Sequence, residues 1–284
     1  MRDKLDRGFI FWERLNILNL DAALVAVAWQ EVAAYALGAP MSWTNRWLIF
    51  FSVWIVYCCD RLLDIRNIKS LPSKAASRHR FHWKYQFSLR LLCQFLTLVA
   101  VGLALACLNS LAWKLAGFVF GLAAIHFLVT HNPVLRDAIP VIKEIRVGVI
   151  FAAGTLIQPW SMRQFDNPHG FWVWTCLALI CSANCLWVSY WENADSSPKP
   201  RFLILFTWVG VVFTVSLVAI GWQLEMRWQA SISGLALALS GILMLLIDPG
   251  LRAQAPRSRI AKQSLADLTL LIIPMAVLLV RWLN

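Results

Sequence analysis

The sequence is a succession of long apolar runs separated by short polar breaks, many of them containing proline. That pattern leaves few folds open. About 20 mostly apolar residues make a helix long enough to cross the hydrocarbon core of a bilayer. In lipid, every backbone N–H and C=O must find its partner inside the segment or in a closed barrel. Nine runs of roughly this length are present, near 18–37, 43–59, 87–108, 111–129, 141–160, 171–190, 202–222, 230–247 and 265–283. They predict an all-α, polytopic membrane protein with nine transmembrane helices. Residues 1–284 then form a single integral-membrane domain: a polar segment over 1–16, then spans from about 18 to 283.

Composition agrees with the blocks. Apolar residues make up 60% of the chain and charged residues 14%, against about 45–50% and about 25% in soluble domains. Helix punctuation falls where the runs end: Gly38-Ala39-Pro40, Asn132-Pro133, Asn167-Pro168-His169-Gly170 and Asp248-Pro249-Gly250. Many of the 16 tryptophans, such as Trp12, Trp43, Trp113, Trp160, Trp222 and Trp282, lie near run ends, where an interfacial aromatic belt accounts for them. The seven cysteines lie in or beside apolar runs and form no CxxC pair. They read as buried thiols, without a disulfide framework or a zinc site.

A net charge of +11 would by itself be compatible with nucleic acid. The basic residues sit at the ends of the apolar runs instead, where they orient helices in a bilayer, so no nucleic-acid partner is expected. With nine spans, 21 of the 26 Lys and Arg residues fall on the N-terminal side, and only Arg46, Lys114, Arg163, Arg227 and Arg281 on the other. The positive-inside rule then places the N-terminus and the long 60–86 connection in the cytoplasm and the C-terminus opposite. The N-terminal MRDKLDRGFIFWERLN has neither the apolar h-region nor the small-residue cleavage site of a signal peptide, so the first span is expected to stay in the mature protein.

Four polar features on the cytoplasmic side could carry chemistry. Asp60 and Asp64 close the second run in Tyr57-Cys58-Cys59-Asp60-Arg61-Leu62-Leu63-Asp64. Four residues apart, they share a face if the helix continues. Two carboxylates so placed suit a hard divalent cation such as Mg2+, which takes one or two protein carboxylates plus phosphate oxygens and water. The plainer reading pairs Asp60 with Arg61 or Arg66 at a wet helix end. The second feature is Asn184 followed by Glu192 and Asp195 after the sixth run; the plainer reading is a capping turn. The third is Lys143, Glu144 and Arg146 at the start of the fifth run, where cations either meet a phosphate or anchor the helix. The fourth is Arg78-His79-Arg80-Phe81-His82-Trp83-Lys84-Tyr85, which suits anionic membrane lipids or a substrate phosphate. Asp21, Gln30, Glu31, His126 and Asn184 lie deep within apolar runs and are expected to face the bundle interior or a cavity.

Taken together, these features resemble the UbiA superfamily of intramembrane prenyltransferases. Asp60-Arg61-Leu62-Leu63-Asp64 looks like the DRxxD end of the family's first Asp-rich motif. Asn184, Glu192 and Asp195 look like a degenerate second motif. Pro133 through Lys143 to Gly148 and Gly154 resembles the stretch leading into helix five. Ala266-Asp267-Leu268-Thr269 through Pro274 is similar to the start of the last helix. Val56-Tyr57 stand where the family has Asn-Asp, and the second motif has fewer Asp residues than usual.

The resemblance implies a UbiA-like bundle around a central cavity and an enzyme that is Mg2+-dependent. It would move a polyprenyl group from a prenyl diphosphate to a lipophilic acceptor, of which an aromatic one is one kind. Asp60, Asp64, Glu192 and Asp195 would hold the metal, and Lys143, Arg61, Arg78, Arg80 and Asn184 would bind substrate. The same diphosphate site would also serve a terpene cyclase. Without the chemistry, the fold would serve a membrane scaffold, lipid-binding protein or transporter.

Overall fold

The computed structural model describes residues 14–66, 77–132, 141–162, 168–192, 200–223, 228–251 and 267–279. Among them the chain is helical, with no strand. The helices are α1 (Leu20–Leu37), α2 (Trp43–Asp64), the short α3 (Ser77–Lys84), α4 (Gln86–Cys107), α5 (Ser110–His131), α6 (Val141–Ser161), α7 (Pro168–Glu192), α8 (Pro200–Gln223), α9 (Trp228–Leu251) and α10 (Asp267–Leu279). Each of the nine apolar runs coincides with a helix. Among the described residues, four helical stretches are long and apolar enough to cross a membrane: Leu20–Leu37, Gln86–Cys107, Ser110–His131 and Gly170–Tyr190. Shorter apolar stretches occur at Phe202–Ser216, Gly234–Leu243 and Asp267–Leu279. Helices α2 and α6 fall outside both groups; they carry ionisable residues, Arg46, Asp60, Arg61 and Asp64 on α2 and Lys143, Glu144 and Arg146 on α6.

The helix ends follow from local chemistry. Ser42 caps α2 by accepting from the Asn45 amide at 3.2 Å, and Asn109 caps α5 by accepting from the Ala112 amide at 2.8 Å, each satisfying an otherwise orphaned donor of the first turn. Helix α1 ends where Gly38 turns left-handed at φ 63°. The amides of Gly38 and Ala39 then reach back to the carbonyls of Tyr35 and Ala34, a closure that glycine permits without steric cost.

Helix α1 is the hub. It is apolar around most of its circumference and buried along most of its length, as an all-round hydrophobic helix must be. It packs on α2, α6, α7 and α9. Val25, Trp29 and Val32 meet Leu156 of α6, Ile180 of α7, Leu237 of α9 and Leu270 of α10 in one core. A second core joins Ala23 of α1 to Trp54, Cys58 and Leu62 of α2 and to Leu89 and Cys93 of α4. Helices α4 and α5, consecutive in the chain, pack on different partners, α4 on α2 and α5 on α6. Their outer faces show Phe95, Leu98 and Leu105, and Phe118, Phe120 and Leu128, to the surroundings. So wide an apolar surface on a monomer is the kind that meets lipid or a partner. The seven cysteines are free thiols; Cys58, Cys93, Cys176 and Cys181 are buried, and Cys59, Cys107 and Cys185 half-buried.

The tightest crossing lies between α6 and α7. Gly148 faces Ser182, and a Cβ at position 148 would run into the Ser182 backbone nitrogen, Cα and Oγ. Backbone on one side of the contact cannot swing away as a long side chain would. We expect Gly148→Ala to lower stability by about 1–3 kcal/mol, the usual range for overpacking. Gly102→Ala, with nothing within 4 Å of its would-be Cβ, is the control and should be neutral or slightly stabilising, because Ala favours helix over Gly by about 1 kcal/mol. Thermal unfolding of the two variants in detergent checks the pair; equal melting temperatures would contradict the crossing.

Candidate functional site

Helix α2 runs without a break through Asp64, so Asp60 and Asp64 share one face as the spacing predicts. Arg61 is the cation beside both, its Nη1 3.8 Å from Asp60 Oδ2 and 3.5 Å from Asp64 Oδ2. His131, the last residue of α5, brings Nε2 to 3.8 Å from the other Asp60 oxygen, Oδ1. One ligand atom from each of Asp60, Asp64 and His131 lies within 4.8 Å of the others. Lys143, in the first turn of α6, is near enough to act on both carboxyls. Three helices, α2, α5 and α6, therefore deliver two carboxylates, an imidazole, a guanidinium and an ammonium to one end of the bundle.

The two carboxyls are held differently. Burial alone would raise Asp60, but His131, Arg61 and Lys143 outweigh it and bring it down to about 2 from an ordinary 3.8. Asp64 is raised, first by burial and then by the charge of Asp60, and Arg61 and Lys143 only partly offset this. Opposite shifts in neighbouring carboxyls are the usual result of like charges at close range in a partly dry site. The pair is short of positive charge on the Asp64 side, and its oxygens are the donors that Mg2+ takes. The buried Nε of Arg61, the guanidinium beside both carboxylates, makes no hydrogen bond with the protein, so a donor for an anion stands beside the acceptors for a cation; the buried Nε of Arg146 on α6 has no hydrogen bond either.

The remaining expected site residues are spread around this centre. Asn184 is buried on α7 and donates from Nδ2 to Asp267 Oδ1 at 2.9 Å, while its own Oδ1 has no partner. Asn16 donates to Asp21 Oδ2 at 2.6 Å and to Asp267 Oδ2 at 3.4 Å, so a second polar cluster ties the start of α1 to α7 and α10. Arg80 is exposed on α3, whose His82 is buried and shares a 3.0 Å hydrogen bond with Asn19. Arg78 lies on α3 and Glu192 ends α7, but both side chains fall outside the described residues, and so does Asp195 altogether. The deep polar residues Asp21, Gln30, Glu31, His126 and Asn184 are all buried, as expected.

Sequence reasoning missed His131. Its signal was present: it ends an apolar run immediately before Asn132-Pro133, at the end of the bundle that holds Asp60. It also missed the link from Asn184 to Asp267, which joins positions 83 residues apart and has no local mark. Among known proteins, no family model matches the chain, and neither a curated protein nor a solved structure matches it.

The opposite shifts give opposite expectations for two isosteric changes. Asp60 is depressed, so its contribution to stability is present above about pH 4 and is lost as pH falls through about 2. Asp64 is raised, so the stability tied to its proton is full below about pH 4 and is lost as pH rises through its elevated folded value. At pH 7, without added metal, Asp60→Asn should therefore lower the melting temperature and Asp64→Asn should raise it. The gain from Asp64→Asn should shrink as pH approaches 4. Melting temperatures that move in the same direction for both variants would contradict this account of the pair.

Proposed function

We propose that the chain is an intramembrane prenyltransferase of the UbiA kind. It would have nine transmembrane helices around a central cavity, the N-terminus and the charged site on the cytoplasmic side, and the C-terminus opposite. The observation that carries this reading is the meeting of Asp60, Asp64, Arg61 and Lys143 at one end of an apolar helical bundle. A prenyl diphosphate has the complementary shape: an apolar tail for the bundle and a multiply charged head for its end.

Asp60 and Asp64 would hold Mg2+, with Glu192 at the end of α7 and Asp195 in the connection after it as further carboxylates. Mg2+ held there would supply charge neutralisation of the diphosphate as leaving group. Lys143 and Arg61 contact the phosphate oxygens, Arg61 and Arg146 through Nε donors that have no protein acceptor, and Arg78 or Arg80 covers the head from α3. These donors stabilise the charge that develops on the leaving group. The bond between the allylic carbon and the diphosphate oxygen breaks, and its electron pair leaves with pyrophosphate. The electrons of a lipophilic, aromatic-type acceptor form the new bond, and the acceptor loses a proton. Asn184, with its unpaired Oδ1, orients a hydroxyl in the apolar interior. The apolar walls keep water from the allylic cation.

Purified protein in Mg2+, with a lipid extract as acceptor source, should release pyrophosphate from one of the geranyl, farnesyl and geranylgeranyl diphosphates and yield a prenylated lipid. Lys143→Met should insert and fold normally. Loss of one charge-assisted contact, worth about 1.5–3 kcal/mol, should raise KM roughly ten- to a hundredfold. An unchanged KM would return Lys143 to the role of a membrane anchor. No pyrophosphate from any of the three diphosphates would contradict the reading as a whole.

A further inference from the structure

We infer that His131 is a third protein ligand, with Asp60 and Asp64, of a divalent-metal site, and that this imidazole makes the site prefer Mn2+ to Mg2+. The inference rests on reading the carboxylate pair as a cation site and needs nothing of prenyl chemistry. Three observations carry it. The first is spacing. His131 Nε2 and Asp60 Oδ1 are 3.8 Å apart, well beyond the 2.7–3.2 Å of a hydrogen bond. Two atoms that each bind one ion at about 2.1 Å lie about 3.0 Å apart at a right angle and about 4.2 Å apart across the ion. The observed gap falls inside that interval, and one ligand atom from each of Asp60, Asp64 and His131 lies within 4.8 Å of the others.

The second observation is that His131 Nε2 is buried and makes no hydrogen bond, although the side chain as a whole is 26% exposed. Its nearest polar partner, Asp60 Oδ1, is too far for a hydrogen bond, and a buried polar atom left without one costs free energy. The third is orientation. The imidazole lies nearly parallel to the Phe127 ring one turn earlier, with centroids 6.2 Å apart and planes 20° apart, so the ring is steadied with Nε2 toward the carboxylates. Asp60 also divides its oxygens, Oδ2 toward Arg61 and Oδ1 toward His131. An ion on the Oδ1 side leaves the Arg61 contact in place.

Mg2+ is a hard cation that takes oxygen ligands and keeps several waters. A neutral imidazole favours first-row transition metals, and even Mn2+, at the weak end of that series, accepts nitrogen more readily than Mg2+ does. Two carboxylates alone would separate the two ions weakly; a directly bound imidazole widens the gap.

The test uses untagged full-length protein in detergent at pH 7.5, with no diphosphate present, and electron paramagnetic resonance of bound Mn2+. Wild type should bind Mn2+, and Mg2+ should displace it only at roughly tenfold excess or more. Pulsed spectra should show the nitrogen coupling of one directly bound imidazole. His131→Gln should remove that coupling and weaken Mn2+ binding by roughly tenfold or more, while Mg2+ affinity stays within about twofold. Bound Mn2+ without nitrogen coupling would overturn the inference, as would no Mn2+ binding, or His131→Gln binding Mn2+ as tightly as wild type. If His131→Gln fails to fold, Asp60→Asn serves: it keeps the imidazole and should lose both the Mn2+ site and the coupling. A protein that passes this test yet releases no pyrophosphate keeps the metal site and loses the prenyl-transfer reading. A protein that turns over prenyl diphosphate but shows no nitrogen coupling keeps prenyl transfer and loses His131 as a ligand.

Discussion

Two carboxylates one turn apart at the end of an apolar helix repel each other, and the groups around them are arranged to manage that repulsion. Arg61 lies against both, Lys143 adds charge from α6, and His131 faces the side of Asp60 that Arg61 leaves open. The compensation is incomplete: Asp60 is held ionised, whereas Asp64 is pushed toward its neutral form. In surroundings of reduced dielectric such an imbalance costs more than it would in water. It is relieved by protonating Asp64 or by bringing in a cation of higher charge. This is the imbalance that the proposed metal ion and its anion would relieve.

A second charged pair lies at the opposite end of α2. At the start of α2, Arg46 grips Glu31 of α1 through two hydrogen bonds of 2.7 and 3.2 Å and lies 4.5 Å from the centre of the Trp43 ring. There the acid and the base are matched one to one, in the bidentate geometry that arginine provides. Nearby, Gln158 of α6 donates to Asn45 Oδ1 and to the Cys107 carbonyl, both at 3.2 Å. This closed network ties α2, α4 and α6 together. The Glu31–Arg46 pair and the Gln158 amide have protein partners, whereas the Asp60 end includes buried Arg61 and His131 nitrogens without hydrogen bonds.

Much of this was legible in the sequence because it depends on local rules. Apolar run length located the helices, and Gly38, read as punctuation, falls where α1 ends. The four-residue spacing of Asp60 and Asp64 placed them on one face once α2 was known to continue past Cys59. What stayed hidden depends on which helices meet. His131 belongs to the site only because α5 ends beside α2, and Asp267 meets Asn184 only because α10 returns to α7. The burial of α1 was hidden for the same reason: its apolar stretch reads like any other span, and its place at the centre is set by α2, α6, α7 and α9 closing around it. The exposed outer faces of α4 and α5 show the opposite outcome for equally apolar sequences.

The central claim is that the carboxylates of α2 bind a diphosphate through a divalent metal, and a binding measurement reaches it without needing the acceptor. Titration calorimetry of a non-hydrolysable geranylgeranyl thiodiphosphate into the purified protein, with and without Mg2+, compares wild type with Asp60→Asn. The account predicts binding to wild type that requires Mg2+ and is lost in the variant. Affinity that is the same with and without Mg2+, or the same in wild type and Asp60→Asn, would contradict it.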